Sequence, residues 1–474
     1  MYLKYNGLLM LVKVPRKVSE IIKIFQSKGF EIYIVGGAVR DIIMGKDTYD
    51  WDFTTNAEPD EMLKILPHAH YTNDYGTVVI PNEKGKERPY EITTFRSEFG
   101  YSDTRRPDKV VWGKTLDDDV KRRDFTINAL ALKIAKKLQA TDGLISIDCQ
   151  LIDLFNGRKD LEHKLIRAVG DPNERFSEDA LRLMRAIRIA SELGFLIEDN
   201  TFKAIKTNAP LIHKISKERV RDEFLKILSS PHPYEGIMLL KNSSLLQEIL
   251  PEMEKTFGVE QKSPERHHIY DVGTHSMLSL KFVAQRNSDP IVRLATLIHD
   301  IGKPTSYKKL ESGVITFYNH EIIGANIAKR IADRLRFSKK QKEFLYTLVR
   351  WHQFSLDERQ TDSAIRRFIR NVRLENITNI IDLRVGDRLG GGARETSWRL
   401  EEFKKRLIEA QKQPFSVRDL KIDGYDVMKI LKLKPGPEVG KILNEIFKEV
   451  QDNKIENKRE ILLQKMKKIT AGND

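Results

Sequence analysis

The sequence predicts an α/β head built on a sheet, followed by a body that is almost entirely helical. Three observations carry this. Short strand patterns alternate with helical ones up to about Gly143, and after about Leu161 they give way to long amphipathic patterns. A glycine pair, Gly36-Gly37, also separates a strand from a helix near the start. At 474 residues the chain needs several cores in series.

The elements follow in order. Met1 to Val14 contains the apolar run Leu8-Leu9-Met10-Leu11-Val12, too brief for a bilayer and without a small-residue cleavage site. It reads as a leader or a strand, with Met10 as an alternative start. From Lys17 to Phe25 the residues Val18, Ile21, Ile22 and Phe25 recur at helical spacing, and Gly29 stops the helix. A strand at Ile32 to Val35 meets the glycine turn, and Val39, Ile42 and Ile43 continue as a short helix. Further strands are predicted at Asp50 to Phe53, Thr77 to Ile80 and Tyr90 to Thr94. In the helical remainder, Pro231-His232-Pro233 and Gln261 to Pro264 read as linkers, and Pro435-Gly436-Pro437 punctuates the tail. The expected boundaries are a head over 1–165, a neck over 166–260, a body over 261–395 and a tail over 396–474.

Lysine and arginine number 82 against 68 acidic residues, a net charge of +14. That balance suits a polyanionic partner such as RNA, or equally a lysine-rich solvated surface. Cys149 is the only cysteine, which excludes disulfide frameworks, zinc ribbons and thiol pairs within one chain and fits a reducing cytoplasm. No other stretch is apolar enough for a membrane helix.

Asp50 and Asp52 stand at i and i+2 in Tyr49-Asp50-Trp51-Asp52-Phe53, so on a strand both carboxylates leave the same face. Two such oxygens can clamp Mg²⁺, which prefers carboxylates supplemented by substrate phosphates. An isolated Asp-x-Asp also occurs as a solvated turn. The preceding Gly36-Gly37 shifts the balance, because such a turn lets backbone amides and a helix N-terminus approach a triphosphate. Arg40 lies one turn into that helix, where its fork can reach phosphate oxygens or pair with Asp41.

Gly36-Gly37-Ala38-Val39-Arg40-Asp41 followed by Asp50-Trp51-Asp52 resembles the signature of class II tRNA nucleotidyltransferases and bacterial poly(A) polymerases. The resemblance implies a polymerase-β-like nucleotidyltransferase head with an all-α neck, body and tail. Arg122-Arg123-Asp124-Phe125-Thr126-Ile127-Asn128-Ala129 resembles the ribose-reading motif, which implies Arg123 near the nucleotide and Asp124 near the 2′-hydroxyl. Asp153 to Arg167 resembles the hinge between head and neck. Ser177 to Arg188 is the most specific match: a single helix would set Asp179 and Arg182 at i and i+3, and the resemblance implies that they read CTP or ATP as a protein template. Arg185 and Arg188 would then flank the nucleotide. Phe95 to Asp108, with Arg96, Tyr101, Asp103, Arg105 and Arg106, resembles the flexible loop of ATP-adding members, and Glu91 is a candidate third carboxylate. Residues Ile215 to Leu228 resemble the last neck motif, with Lys217, Arg219 and Arg221 suited to phosphates.

Further along, His275, His299-Asp300, His320, His352 and Asp387 occur on predicted helices. Imidazoles and carboxylates in this order fit a second divalent-metal site for phosphate ester hydrolysis, with His275, His299, Asp300 and Asp387 as its ligands. Leu297 to Pro304 resembles the HD phosphohydrolase superfamily. Hydrogen-bonded structural histidines, or an inactive RNA-binding HD fold, are the alternatives.

Together the resemblances imply template-independent CCA addition to tRNA from CTP and ATP with Mg²⁺. An enzyme adding only the final A, a poly(A) polymerase, and an HD phosphohydrolase acting on RNA ends are the rivals. DNA and membranes are not expected partners, and the oligomeric state stays open.

Overall fold

The structure, a computed structural model, describes residues 5–6, 9–71, 76–81, 89–99, 109–113, 115–141, 144–261, 270–354, 362–410, 417–451 and 454–471. The chain divides into two compact units, one formed by Met1–Glu254 with Arg334–Phe337 and the other by Lys255–Asp333 with Ser338–Asp474.

The first unit begins with a nine-stranded mixed sheet. Its opening apolar run forms the strand Leu9–Pro15, with Met10, Val12 and Val14 buried at period two. Helix Arg16–Ser27 follows and buries Val18, Ile21, Ile22 and Phe25, the residues its spacing predicts. Strand Ile32–Val35 is buried throughout and runs antiparallel to Asp52–Thr55, which lies parallel to Tyr90–Thr94. Strand Thr77–Ile80 pairs with the far side of Tyr90–Thr94.

Strand Asp52–Thr55 starts two residues later than its pattern predicts, leaving Asp50 just before it. Trp51 and Phe53 are nevertheless both buried, so Asp50 and Asp52 face away from the core. The sheet also continues past Gly143, through the antiparallel pair Leu130–Thr141 and Leu144–Asp153. Polar residues along both strands obscure these in the sequence, since each is sided only in part. Cys149 lies on the second of them, and burial pushes its thiol up to about 12, as suits an inert core residue.

From Gly157–Glu162 onward the unit is helical apart from the small parallel pair Leu165–Ile166 with Leu196–Ile197. Helices Leu181–Leu193 and Lys217–Ser229 pack together, and Leu183, Ile187, Val220 and Phe224 on them are buried. Among its described residues the second unit is helical too, save the short hairpin Lys308–Lys309 with Ile315–Thr316. Its last segment carries a core of its own, including Val427, Ile446, Leu462 and Met466. Among the described residues no helix is long and apolar enough to cross a membrane.

Candidate functional site

The head site is assembled around Gly36. Its φ of +75° is a left-handed conformation that favours glycine. A side chain there would meet Arg123 Nη1 at 3.0 Å and Asp52 Oδ2 at 3.5 Å. The turn therefore draws an arginine and a carboxylate to one point at the mouth of helix Gly37–Ile43. In the parallel register Asp52 lies directly beside Glu91, which places that glutamate within the acidic cluster, while Asp50 is exposed.

Arg40 Nε donates to Asp41 Oδ1 at 2.8 Å and its Nη1 to Asn128 Oδ1 at 3.0 Å. The local ion pair weighed from sequence is thus formed, and the guanidinium still lies beside Gly37. Asn128 extends the network, its Nδ2 donating to Asp124 Oδ1 at 3.1 Å. Asp124 Oδ2 accepts from Arg185 Nε at 2.9 Å and Nη2 at 2.6 Å. Burial alone would raise the Asp124 carboxyl, but Arg185 and Asn128 outweigh it and hold it at about 2.

The predicted continuous helix over Ser177 to Arg188 is broken. Helix Pro172–Glu178 stops, Asp179 is extended at φ −138°, and a new helix starts at Leu181. The cause is local: Asp179 Oδ1 accepts the Leu181 N–H at 3.0 Å, the competition with helical bonding that aspartate side chains offer. Asp179 and Arg182 consequently do not share a helix face. Asp179 Oδ2 pairs with Arg219 at 3.2 Å, and Arg182 Nη1 donates to Glu178 at 2.6 Å. Arg182 Nη2 also donates to the Arg122 carbonyl at 3.0 Å, which sets it against the Arg123 segment. Arg188 pairs with Glu192 and Glu223. Arg221 pairs with Asp222.

Asp119 escaped the sequence reading. It is fully buried and binds both Arg122 and Arg123, the latter at 3.3 Å. Burial opposes its charge, yet the two arginines hold its carboxyl below the usual range. Its spacing to Arg123, four residues along one helical turn, was the available signal. Of the expected flexible loop, Phe95 to Asp108, the described part includes strand Arg96–Phe99, which pairs with Lys109–Trp112 just beyond it. Tyr101, Asp103, Arg105 and Arg106 lie outside the described residues.

In the second unit the six histidine and aspartate positions converge. His275 lies on helix Val272–Val283, His299-Asp300 just follow helix Pro290–Leu297, and His320 opens the helix His320–Arg334. His352 caps Lys339–Trp351, and Asp387 lies on Ile377–Gly390. All four imidazoles and Asp300 are at most 6% exposed. His275 Nε2 is 3.3 Å from His299 Nε2 and 3.1 Å from Asp387 Oδ1. Lys303 Nζ reaches Asp300 Oδ2 at 2.6 Å, and Arg384 reaches Asp387 Oδ2 at 2.7 Å. These cations line a cavity of about 500 Å³ with Asp300, His320, His352 and Asp387.

His299, His320 and His352 each hold Nδ1 within 2.7–2.8 Å of a backbone carbonyl, of Thr296, Phe317 and Val349. With Nδ1 donating, Nε2 presents a lone pair inward, the orientation that metal-ligating histidines show. The donor set of imidazoles and carboxylates fits a divalent transition metal. Burial disfavours a charged His299, but Asp300 and Asp387 raise it to about 10, so an ion at Nε2 would take the place of a proton there. Asp300, though buried, is held well below the carboxylate range by His299 and Lys303.

Carboxylates and an arginine gathered at a glycine turn are what attack on a nucleoside triphosphate requires, and the class they define is the nucleotidyltransferases. Three family models match the chain: the Poly A polymerase head domain over residues 32–167, the "Probable RNA and SrmB- binding site of polymerase A" over 194–257, and tRNA nucleotidyltransferase domain 2 over 323–466. The CCA-adding enzyme of Limosilactobacillus reuteri is 33% identical over 458 residues, 95% of this chain and 96% of that one. That of Lactobacillus helveticus is 44% identical over 234 residues, 49% of this chain and 55% of that one. The chain belongs to the CCA-adding enzyme family. Among solved structures, Bacillus stearothermophilus CCA-adding enzyme in complex with CTP is 25% identical, with a TM-score of 0.61 over 97% of this chain and 99% of that one. Thermotoga maritima CCA-adding enzyme complexed with tRNA is 19% identical and shares the fold, with a TM-score of 0.57 over 96% and 95% of the two chains.

Proposed function

We propose that this chain adds CCA to the 3′ end of tRNA from CTP and ATP, with Asp50 and Asp52 holding Mg²⁺. The convergence of Asp52 and Arg123 on Gly36 carries this reading, because it brings a carboxylate and a cation to a turn of the kind that would meet a triphosphate. End-to-end alignment with a CCA-adding enzyme favours CCA over poly(A) as the product. In the reaction the RNA 3′-hydroxyl loses its proton and bonds to the α-phosphorus, and pyrophosphate leaves. Bound Mg²⁺ supplies charge stabilisation to the attacking and leaving oxygens. The oxygen-only donor set of Asp50, Asp52 and Glu91 suits that hard cation.

Arg40 and the Gly36-Gly37 turn bind the triphosphate, and Arg123 neutralises charge beside it. Asp124 addresses the 2′-hydroxyl, which first requires it to share its carboxylate with Arg185. Asp179 and Arg182 read the base edge, exchanging Arg219 and Glu178 for it, so no nucleic-acid template is needed. Arg185 and Arg188 secure the neck side of the nucleotide. The reaction belongs in the cytoplasm, where its tRNA substrate resides.

The test is incorporation of CMP and AMP into a tRNA transcript lacking CCA. Asp50→Asn and Asp52→Asn should each cut incorporation at least about 100-fold, the scale of one lost transition-state charge contact, while tRNA binding persists. Unchanged incorporation in both variants would remove the assignment.

A second reading concerns the other unit. Six convergent donors, three of them imidazoles with anchored Nδ1 atoms, favour a metal-dependent phosphohydrolase centre at His275, His299, Asp300 and Asp387 over purely structural histidines. Lys303 and Arg384 at its cavity suit a phosphate ester.

A further inference from the structure

We infer that Asn128 is a positioning residue for ribose selection, holding the Asp124 carboxylate in register with the arginines at the triphosphate end of the head site. This rests on the reading of Arg40, Arg123 and Asp124 given above and adds to it a residue that itself touches no substrate.

Asn128 closes the turn Thr126–Asn128 and is 8% exposed, between the buried residues Ile127 and Ala129. Two residues on, the Leu130 carbonyl accepts the Gly36 N–H at 3.4 Å, which ties this turn to the glycine pair. Three groups assigned to the nucleotide meet on Asn128. Its Oδ1 accepts from Arg40 Nη1 at 3.0 Å, and its Nδ2 donates to Asp124 Oδ1 at 3.1 Å. Its backbone carbonyl accepts from Arg123 Nη1 at 3.3 Å, the same nitrogen that a Cβ at Gly36 would meet at 3.0 Å.

The amide has one orientation that satisfies both side-chain partners. A guanidinium offers donors and no acceptor, and an ionised carboxylate offers acceptors and no donor, so the amide oxygen faces Arg40 and the nitrogen faces Asp124. Being uncharged, the amide links the two without neutralising either. It also distinguishes the two oxygens of Asp124. Oδ1 takes the Asn128 amide and the Phe125 N–H, both from its own turn, whereas Oδ2 is held by Arg185 from a separate helix. Oδ1 is thereby the anchored oxygen, and Oδ2 is the one presented to a 2′-hydroxyl as it exchanges Arg185. Without the amide the carboxylate can rotate about its own Cβ–Cγ bond, and its alignment with ribose is lost while its charge remains.

The test is competition between CTP and dCTP for addition to a tRNA transcript lacking CCA, catalysed by the full chain. Asn128→Ala should lower the preference for CTP about tenfold, the scale of one hydrogen bond to a charged group. Asn128→Asp, close to isosteric, sets a like charge in place of the donor and should lose the preference as well; it serves where Asn128→Ala does not fold. In an Asp124→Ala background Asn128→Ala should lower the preference no further, because the two act through one contact. General loosening of the fold would instead slow CTP and dCTP addition equally. If Asp124→Ala lowers the preference while either folded Asn128 variant keeps it, the inference fails alone. If the parent shows no preference, or Asp124→Ala keeps it, the ribose assignment of Asp124 falls and the inference falls with it.

Discussion

Asp124 spends both carboxylate oxygens inside the protein, one on Asn128 and the Phe125 N–H and one on Arg185. Its folded pKa of about 2 lies below the ordinary 3.8, so its contribution to stability is fully present above about pH 4 and is lost as pH falls through 2. The shift corresponds to about 2 kcal/mol. Asp124→Asn should therefore lower the melting temperature at pH 7, and the gap to the parent should close between pH 4 and 2. A gap independent of pH, followed by calorimetry, would count against the ion pair. Arg182 makes a different prediction. Its donors are aimed by Glu178 and the Arg122 carbonyl, so Arg182→Ala should lose preference for CTP and ATP over UTP and GTP along with rate. Competition between the four nucleotides reads this directly, and a retained preference would move base choice elsewhere.

Elements set these residues in place through close contacts that composition does not reveal. Gly157 packs its backbone against the Thr126 carbonyl, where a Cβ would stand 2.2 Å from the oxygen. Gly157→Ala should force helix Gly157–Glu162 away from the Thr126–Asn128 turn, at a cost of about 1–3 kcal/mol, and weaken nucleotide binding through Asn128. Denaturant titration with a parallel CTP-binding measurement checks both. The strands Ile32–Val35 and Thr77–Ile80 were legible because their apolar runs end at Gly36 and Pro81, and Tyr90–Thr94 because its β-forming residues alternate between buried and less buried positions. The hairpin Leu130–Asp153 was not, since lysine and glutamine interrupt its alternation. The site motifs were readable as residues, but not their partners. The break at Asp179 depends on one side-chain bond to Leu181, and Arg123 depends on Asp119, neither of which periodicity records. The histidine cluster was legible by residue type, whereas the split of Asp300 between two imidazole pairs needs coordinates.

At the scale of the molecule the chain divides into two compact units, and one proposed site lies in each. The net charge of +14 suits a long polyanion, so tRNA affinity should fall linearly on a log-log plot against salt. His299→Ala should abolish any metal-stimulated phosphatase activity while leaving CMP addition intact, because the head holds its own donors. Joint loss of both activities would contradict that independence. The most direct test gives the purified chain three tRNA transcripts, ending before CCA, after C and after CC, with CTP and ATP separately and together. Completion of all three to CCA is the predicted result; extension of the CC-ended transcript alone would contradict it and make this an A-adding enzyme.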